Sequence, residues 1–163
     1  MVAHHHTKST TRRGFLLGAA RLAGGVGLLS IFPCSESRAL PDMLQAAIKE
    51  VVGAAPLRRG RVTLGLPPMV ENGNVVSVEV SVESPMTASD HVKAIHVFNE
   101  KNPQPNVLSV QLGPHAGKAK VSTRIRLATT QQVIAIAEMS DGTFWSDAVD
   151  TFVALAACQE DPG

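Results

Sequence analysis

The stretch Val76-Ser77-Val78-Glu79-Val80-Ser81-Val82-Glu83 alternates apolar and polar residues without a break. Successive side chains of a strand point to opposite faces, so this pattern predicts a strand with one face in a core and the other in water. A second stretch repeats the pattern, with Val121, Thr123, Ile125 and Leu127 alternating with Ser122, Arg124 and Arg126. Both read as half-buried antiparallel strands. Working outward, further strands are expected at Val62 to Leu66, Val92 to Asn99, Val107 to Leu112, Val133 to Met139 and Ala148 to Ala156, with a short Thr143 to Trp145 arm leading into the last. Turn chemistry separates them at Asn72-Gly73, Asn102-Pro103, Gly113-Pro114 and Asp141-Gly142. About seven short strands spaced by turns define an all-β fold, an immunoglobulin-like antiparallel β-sandwich. Tyrosine is absent and tryptophan occurs once, so the core rests on Val, Ile, Leu and Ala.

Upstream of the strands the period changes. Met43, Leu44, Ala47, Ile48, Val51 and Val52 fall along one side of a 3.6-residue repeat, and Asp42 and Gln45 are spaced as a capping pair. One short amphipathic helix is expected over Asp42 to Ala54. Earlier still, Arg12-Arg13-Gly14-Phe15-Leu16-Leu17 follows Lys8 and leads an apolar stretch through Ile31, which reads as a twin-arginine (Tat) export signal. Arg21 and five glycines make that stretch a poor membrane span, and Ser37-Arg38-Ala39 offers small residues for cleavage before Leu40. The expected organisation is a signal over 1–39, helix and linker over 40–60, sandwich over 61–155 and a C-terminal arm over 156–163. The mature form is expected in the periplasm with no membrane anchor.

Cleavage changes the charge. The chain carries 15 Lys and Arg against 14 Asp and Glu; residues 40–163 keep 10 against 13, a net of −3. Nucleic acid needs a concentrated basic surface, so none is expected as a partner. Lys118, Lys120, Arg124 and Arg126 form a basic stripe of one strand parity, the pattern of a solvated sheet face. His91 and His96 stand five residues apart, an odd separation that turns two strand residues to opposite faces and makes a poor metal pair. His96 shares its parity with Val92, Ala94 and Phe98 and reads as a packed histidine. His115 falls in a loop, and Met43, Met69, Met86 and Met139 are dispersed. No catalytic constellation, phosphate loop or paired-cysteine motif is visible, so neither enzymatic activity nor a cofactor is expected.

Cys34 and His4 to His6 leave with the signal, which leaves Cys158 as an unpaired thiol in an oxidising compartment. It stands in Ala156-Ala157-Cys158-Gln159-Glu160, beyond the last expected strand. A free thiol has a pKa near ~8.5, and the acidic neighbours Glu160 and Asp161 disfavour its thiolate further. A catalytic cysteine wants a histidine or cation beside it, whereas a carrier can leave activation to the enzyme it visits. At ~3.3 Å per residue, an arm from Ala156 to Cys158 would reach on the order of 10 Å past the sandwich.

The segments Val62-Thr63-Leu64, Glu71-Asn72-Gly73-Asn74, Glu83-Ser84-Pro85-Met86, Val92-Lys93-Ala94-Ile95-His96-Val97-Phe98, Lys101-Asn102-Pro103, Ser122-Thr123-Arg124-Ile125-Arg126-Leu127 and Ala137-Glu138-Met139-Ser140-Asp141-Gly142 resemble the SoxY family of sulfur carriers in thiosulfate oxidation. That resemblance implies a Tat signal, a short helix, an immunoglobulin-like sandwich and a flexible arm whose cysteine carries sulfur intermediates. It also implies a SoxZ-like small β-sandwich partner and periplasmic sulfur-oxidising enzymes that load and unload the arm. Cys158 falls at the carrier position. Ala156, Ala157, Gln159 and Glu160 replace the family's paired glycines and resemble a branch with an Ala-Ala-Cys-Ile-Glu arm. Two alternatives have other chemistry: a periplasmic interaction module with a vestigial cysteine, or a metal chaperone.

Overall fold

The computed structural model describes residues 41–157, so Arg12, Arg13, Cys34, Cys158, Gln159 and Glu160 lie outside the described residues. The elements run α1 (Asp42–Val52), β1 (Leu57–Arg59), β2 (Val62–Gly65), β3 (Met69–Asn72), β4 (Val76–Val82), β5 (Val92–Asn99), β6 (Asn106–Gln111), a 3-10 turn at Pro114–Ala116, β7 (Lys120–Ile125), β8 (Gln131–Met139) and β9 (Phe144–Leu155). The alternating stretch is β4, with its four valines buried and Ser77 and Glu79 exposed. It is the middle strand of a three-stranded antiparallel sheet, β2-β4-β7, where Val80 stands opposite Leu64 on one side and Val121 on the other. The facing sheet has the order β1-β9-β8-β5-β6, with β3 added along β9.

The two central strands of the larger sheet do not alternate, because both of their faces are covered. Ile95, Val97, Val133, Ala135 and Ala137 meet Val76, Val78 and Val80 of the small sheet in one core. From the opposite face Phe98, Ile134 and Ile136 pack with Leu44 and Val52 of α1 and with Phe144. A strand buried on both faces reads as a continuous apolar run, as Val133 to Ala137 does. Full burial of Leu44 contributes about 1.5–3 kcal/mol and fastens the helix to the sheet.

The sandwich is the expected one, but several local expectations need correction. Among the described residues there are nine strands, the two extra being β1 and β3, and both pair parallel with β9 rather than antiparallel. The Thr143 to Trp145 arm and the last expected strand fuse into one twelve-residue β9. The helix stops at Val52, with Gly53 donating its amide back to Lys49. Asp42 is its first residue and no side chain caps it, since Pro41 holds the cap position. Val92 and Phe98 do not share a face: Val92 lies in the core between the sheets and Phe98 under α1. The cause is a register shift in the β5–β8 pairing between Val92 and Ala94, which turns the strand over.

Candidate functional site

The described chain ends at Ala157, one residue short of Cys158, and the structure of this root is unusually specific. Gly73, between β3 and β4, donates its amide to Leu155 O at 2.8 Å and accepts at its carbonyl from Leu127 N at 2.8 Å. Leu127 O then accepts from Ala157 N at 3.2 Å. Three segments distant in sequence therefore meet backbone to backbone. A Cβ on Gly73 would lie 2.3 Å from Leu127 O, 3.0 Å from Ala157 N and 3.0 Å from a methyl of Val153. Here glycine is required by close approach.

The loop that carries Leu127 is itself pinned. Asn102 donates from its side chain to Arg126 O at 2.8 Å and accepts from Ala128 N at 2.9 Å and from Gln131 Nε2 at 3.0 Å. Lys101 N donates to Gln131 Oε1 at 2.7 Å, and Val153 N to Thr130 Oγ1 at 3.0 Å. The expected Asn102-Pro103 turn thus does more than reverse the chain, since its side chain fixes the loop that holds the arm. Ala156 is exposed and Ala157 is buried. Of the expected arm over 156–163, only Ala156 and Ala157 are among the described residues, and of these Ala157 is held to the body through its amide on Leu127 O.

Around the root stand exposed apolar side chains. Met69 and Phe152 are neighbours across β3 and β9 and are 65 % and 52 % exposed; Val75 and Leu155 are 63 % and 67 % exposed. Beside them a shallow depression of about 240 Å³ is lined by Pro68, Thr130, Gln131, Asp150, Thr151 and Phe152.

The remaining residues singled out from sequence lie apart. His96 is buried, with Nδ1 2.8 Å from Ser109 Oγ, and burial holds its pKa below the ordinary histidine value while Glu138 acts in the opposite sense. His91 Nδ1 is 3.1 Å from Thr87 O, and His115 is exposed in the 3-10 turn. Met86 and Met139 are in the core while Met43 and Met69 face solvent. No three His, Cys, Asp or Glu side chains converge among the described residues. Of the basic stripe, Lys120 pairs with Glu79 at 2.8 Å on the outer face of the small sheet, and Lys118, Arg124 and Arg126 are exposed. Hydrogen bonds from Lys120 first, then Ser122, draw the Glu79 carboxyl below its usual range. Among the described residues no helix is long and apolar enough to cross a membrane.

The family model for the sulfur oxidation protein SoxY matches residues 48–158, a span that reaches Cys158. The chain belongs to that family. Among solved structures it is similar to the sulfur carrier protein SoxY from Chlorobium limicola f thiosulfatophilum, with 26% identity and a TM-score of 0.58 over 68% of this chain and 96% of that one. The fold alone is shared with superoxide reductase (neelaredoxin) from Ignicoccus hospitalis, at 19% identity and a TM-score of 0.52 over 58% of this chain and 80% of that one. The same holds for a putative superoxide reductase from Thermotoga maritima, at 18% identity and 0.51 over 61% and 93%. A search of the curated proteins gives no match.

Proposed function

From membership of the sulfur oxidation protein SoxY family, we propose that this chain is a non-catalytic carrier that holds sulfur intermediates covalently on Cys158 and presents them to partner enzymes. The observation that carries this reading is the family match running through Ala156 and Ala157 to Cys158. The docked root supports it physically. Ala157, the residue joined to the one that bears the thiol, is held on Leu127 O, which suits a carrier whose cargo an enzyme docked on the body must find near a defined point. The alanines and Glu160 in place of glycines restrict the backbone conformations open to the arm, which fits a partner set different from that of glycine arms. We assign the arm to the Ala-Ala-Cys-Ile-Glu branch, with Gln159 in the isoleucine place. Arg12-Arg13 ahead of the apolar stretch supports Tat export and a periplasmic site of action.

The test is intact-mass spectrometry of protein taken from the native periplasmic fraction. Sulfur adducts are expected on the wild-type chain and none on Cys158→Ser. That variant should keep its thermal midpoint, because substitutions outside a packed core usually stay within about 0.5 kcal/mol. Adducts that persist on the serine variant would exclude the cysteine as the carrier, and absence of the protein from that fraction would exclude the export reading.

A further inference from the structure

At the other end of β9 from the arm root, two arginines converge on one indole. Arg58 of β1 is the cross-strand partner of Trp145, and its guanidinium carbon lies 5.7 Å from the ring centroid. Arg61, in the turn that carries the chain from β1 to β2, lies 5.3 Å from the same centroid. Cations within about 6 Å of an indole face are attracted by its quadrupole, so Trp145 holds both side chains. Trp145 is itself held: it packs against the core between the sheets, and its Nε1 donates to Thr143 Oγ1 at 3.1 Å.

The backbone that brings Arg61 there is costly. Arg61 adopts φ 54°, in the left-handed region that a side chain disfavours, directly after Gly60 at φ 106°. A side chain at Gly60 would touch the Trp145 ring 3.6 Å away, in a conformation few residues accept. Both cations are exposed, as is Arg59 between them, and among the described residues no carboxylate lies within 4.0 Å of any of the three. Asp141 feels both arginines through space, but its carboxyl is drawn below its usual range first by hydrogen bonds from Thr143 Oγ1 at 2.7 Å and Thr143 N at 2.8 Å, and only then by Arg61 and Arg58. The two guanidiniums are no more than about 11 Å apart, close to a Debye length at 0.1 M salt, so their repulsion is not screened away. A bound anion that bridged them would relieve it.

We propose that Arg58 and Arg61 on Trp145 form a docking point for a carboxylate-bearing segment of a protein partner. Guanidinium forks match carboxylates two bonds at a time. Arg and Trp are the side chains that most often dominate protein interfaces, and Leu57, 40 % exposed beside them, supplies an apolar rim. A polyanion such as nucleic acid fits less well, because Lys93, Lys101 and Lys120 are each paired with a carboxylate and Arg124 stands on β7 in the other sheet. This docking point stands whether or not Cys158 carries sulfur.

Trp145 is the only tryptophan of the chain, so its emission reports on this site alone. Full-chain protein is titrated with a synthetic oligoglutamate peptide, and affinity is read from the midpoint rather than the amplitude. Saturable binding is expected, weakened about tenfold or more in Arg58→Ala/Arg61→Ala and unchanged in Arg124→Ala/Arg126→Ala, which removes the same charge elsewhere. Because the stacked arginines also pack the turn, Arg58→Lys/Arg61→Lys is measured as well. It keeps charge and side-chain length but not the fork, and binding several-fold weaker than wild type is expected. Equal midpoints in all four proteins, or a response that sodium sulfate reproduces at matched ionic strength, would overturn the proposal.

Discussion

Asn99 is fully buried at the end of β5, and among the described residues neither atom of its side-chain amide has a hydrogen-bond partner. A buried unpaired polar group costs about 1–3 kcal/mol, far more than a net hydrogen bond returns. Asn99→Val keeps a strand-compatible shape beside Val133 and is expected to raise stability by about 1 kcal/mol, read as a higher denaturant midpoint with an unchanged slope. A lower midpoint would mean that the amide is satisfied in solution and belongs to the design of this end. His96 gives the opposite kind of test. Burial depresses its pKa, so the folded state prefers the neutral ring and the unfolded state binds its proton first as pH falls. Stability is therefore whole above the ordinary histidine value and declines as pH drops below it. His96→Gln, which can still reach Ser109, is expected to flatten the thermal midpoint between about pH 7 and pH 5. An unaltered pH profile would assign that decline to other groups.

Elements show where sequence logic ends. β4 and β7 were legible because alternation at period two has one structural meaning, and the pattern survives in the burial of every second residue of β4. β1 and β3 were not. Leu57-Arg58-Arg59 carries no apolar periodicity and Met69 follows two prolines; both become strands only because β9 offers them a free edge. The importance of Gly73 was half visible. Asn72-Gly73 announces a turn, but the need for glycine comes from Leu127 and Ala157, which lie 54 and 84 positions away in sequence and leave no local trace. The same is true of Arg58 and Arg61, whose meaning depends on Trp145 in β9. Gly73→Ala tests the element-level claim, because its Cβ would meet backbone that cannot rotate away. Overpacking of this kind costs about 1–3 kcal/mol. Loss of amide-exchange protection at Ala157 and Leu127 is expected, with Val78 and Val80 in β4 retaining theirs; uniform loss across the sandwich would show that Gly73 supports the whole fold rather than the arm root.

For the whole molecule, the distribution of apolar surface matters more than its amount. Met69, Val75, Phe152 and Leu155 are exposed around the segment from which the arm departs, whereas the opposite end of β9 presents arginines. Scattered exposed apolar residues need no explanation, but a group beside a functional segment marks a surface that another protein covers. The SoxZ-like subunit implied by the sequence resemblance is therefore expected to seat on β3 and the second half of β9. A stable one-to-one complex needs roughly 1,200–2,000 Å² of buried surface in all, with a few large apolar anchors at its centre. Phe152 and Leu155 are suited to that role, and neither supports the monomer's core, since both are more than half exposed. Co-expression with such a subunit should give a one-to-one complex by light scattering. Phe152→Glu/Leu155→Asp should abolish it while the monomer keeps its thermal midpoint within about 0.5 kcal/mol of wild-type stability. A complex that survives both substitutions would move the interface to another face, and the outer surface of β2-β4-β7, with Glu79, Lys120 and Arg124, would then be the surface to mutate.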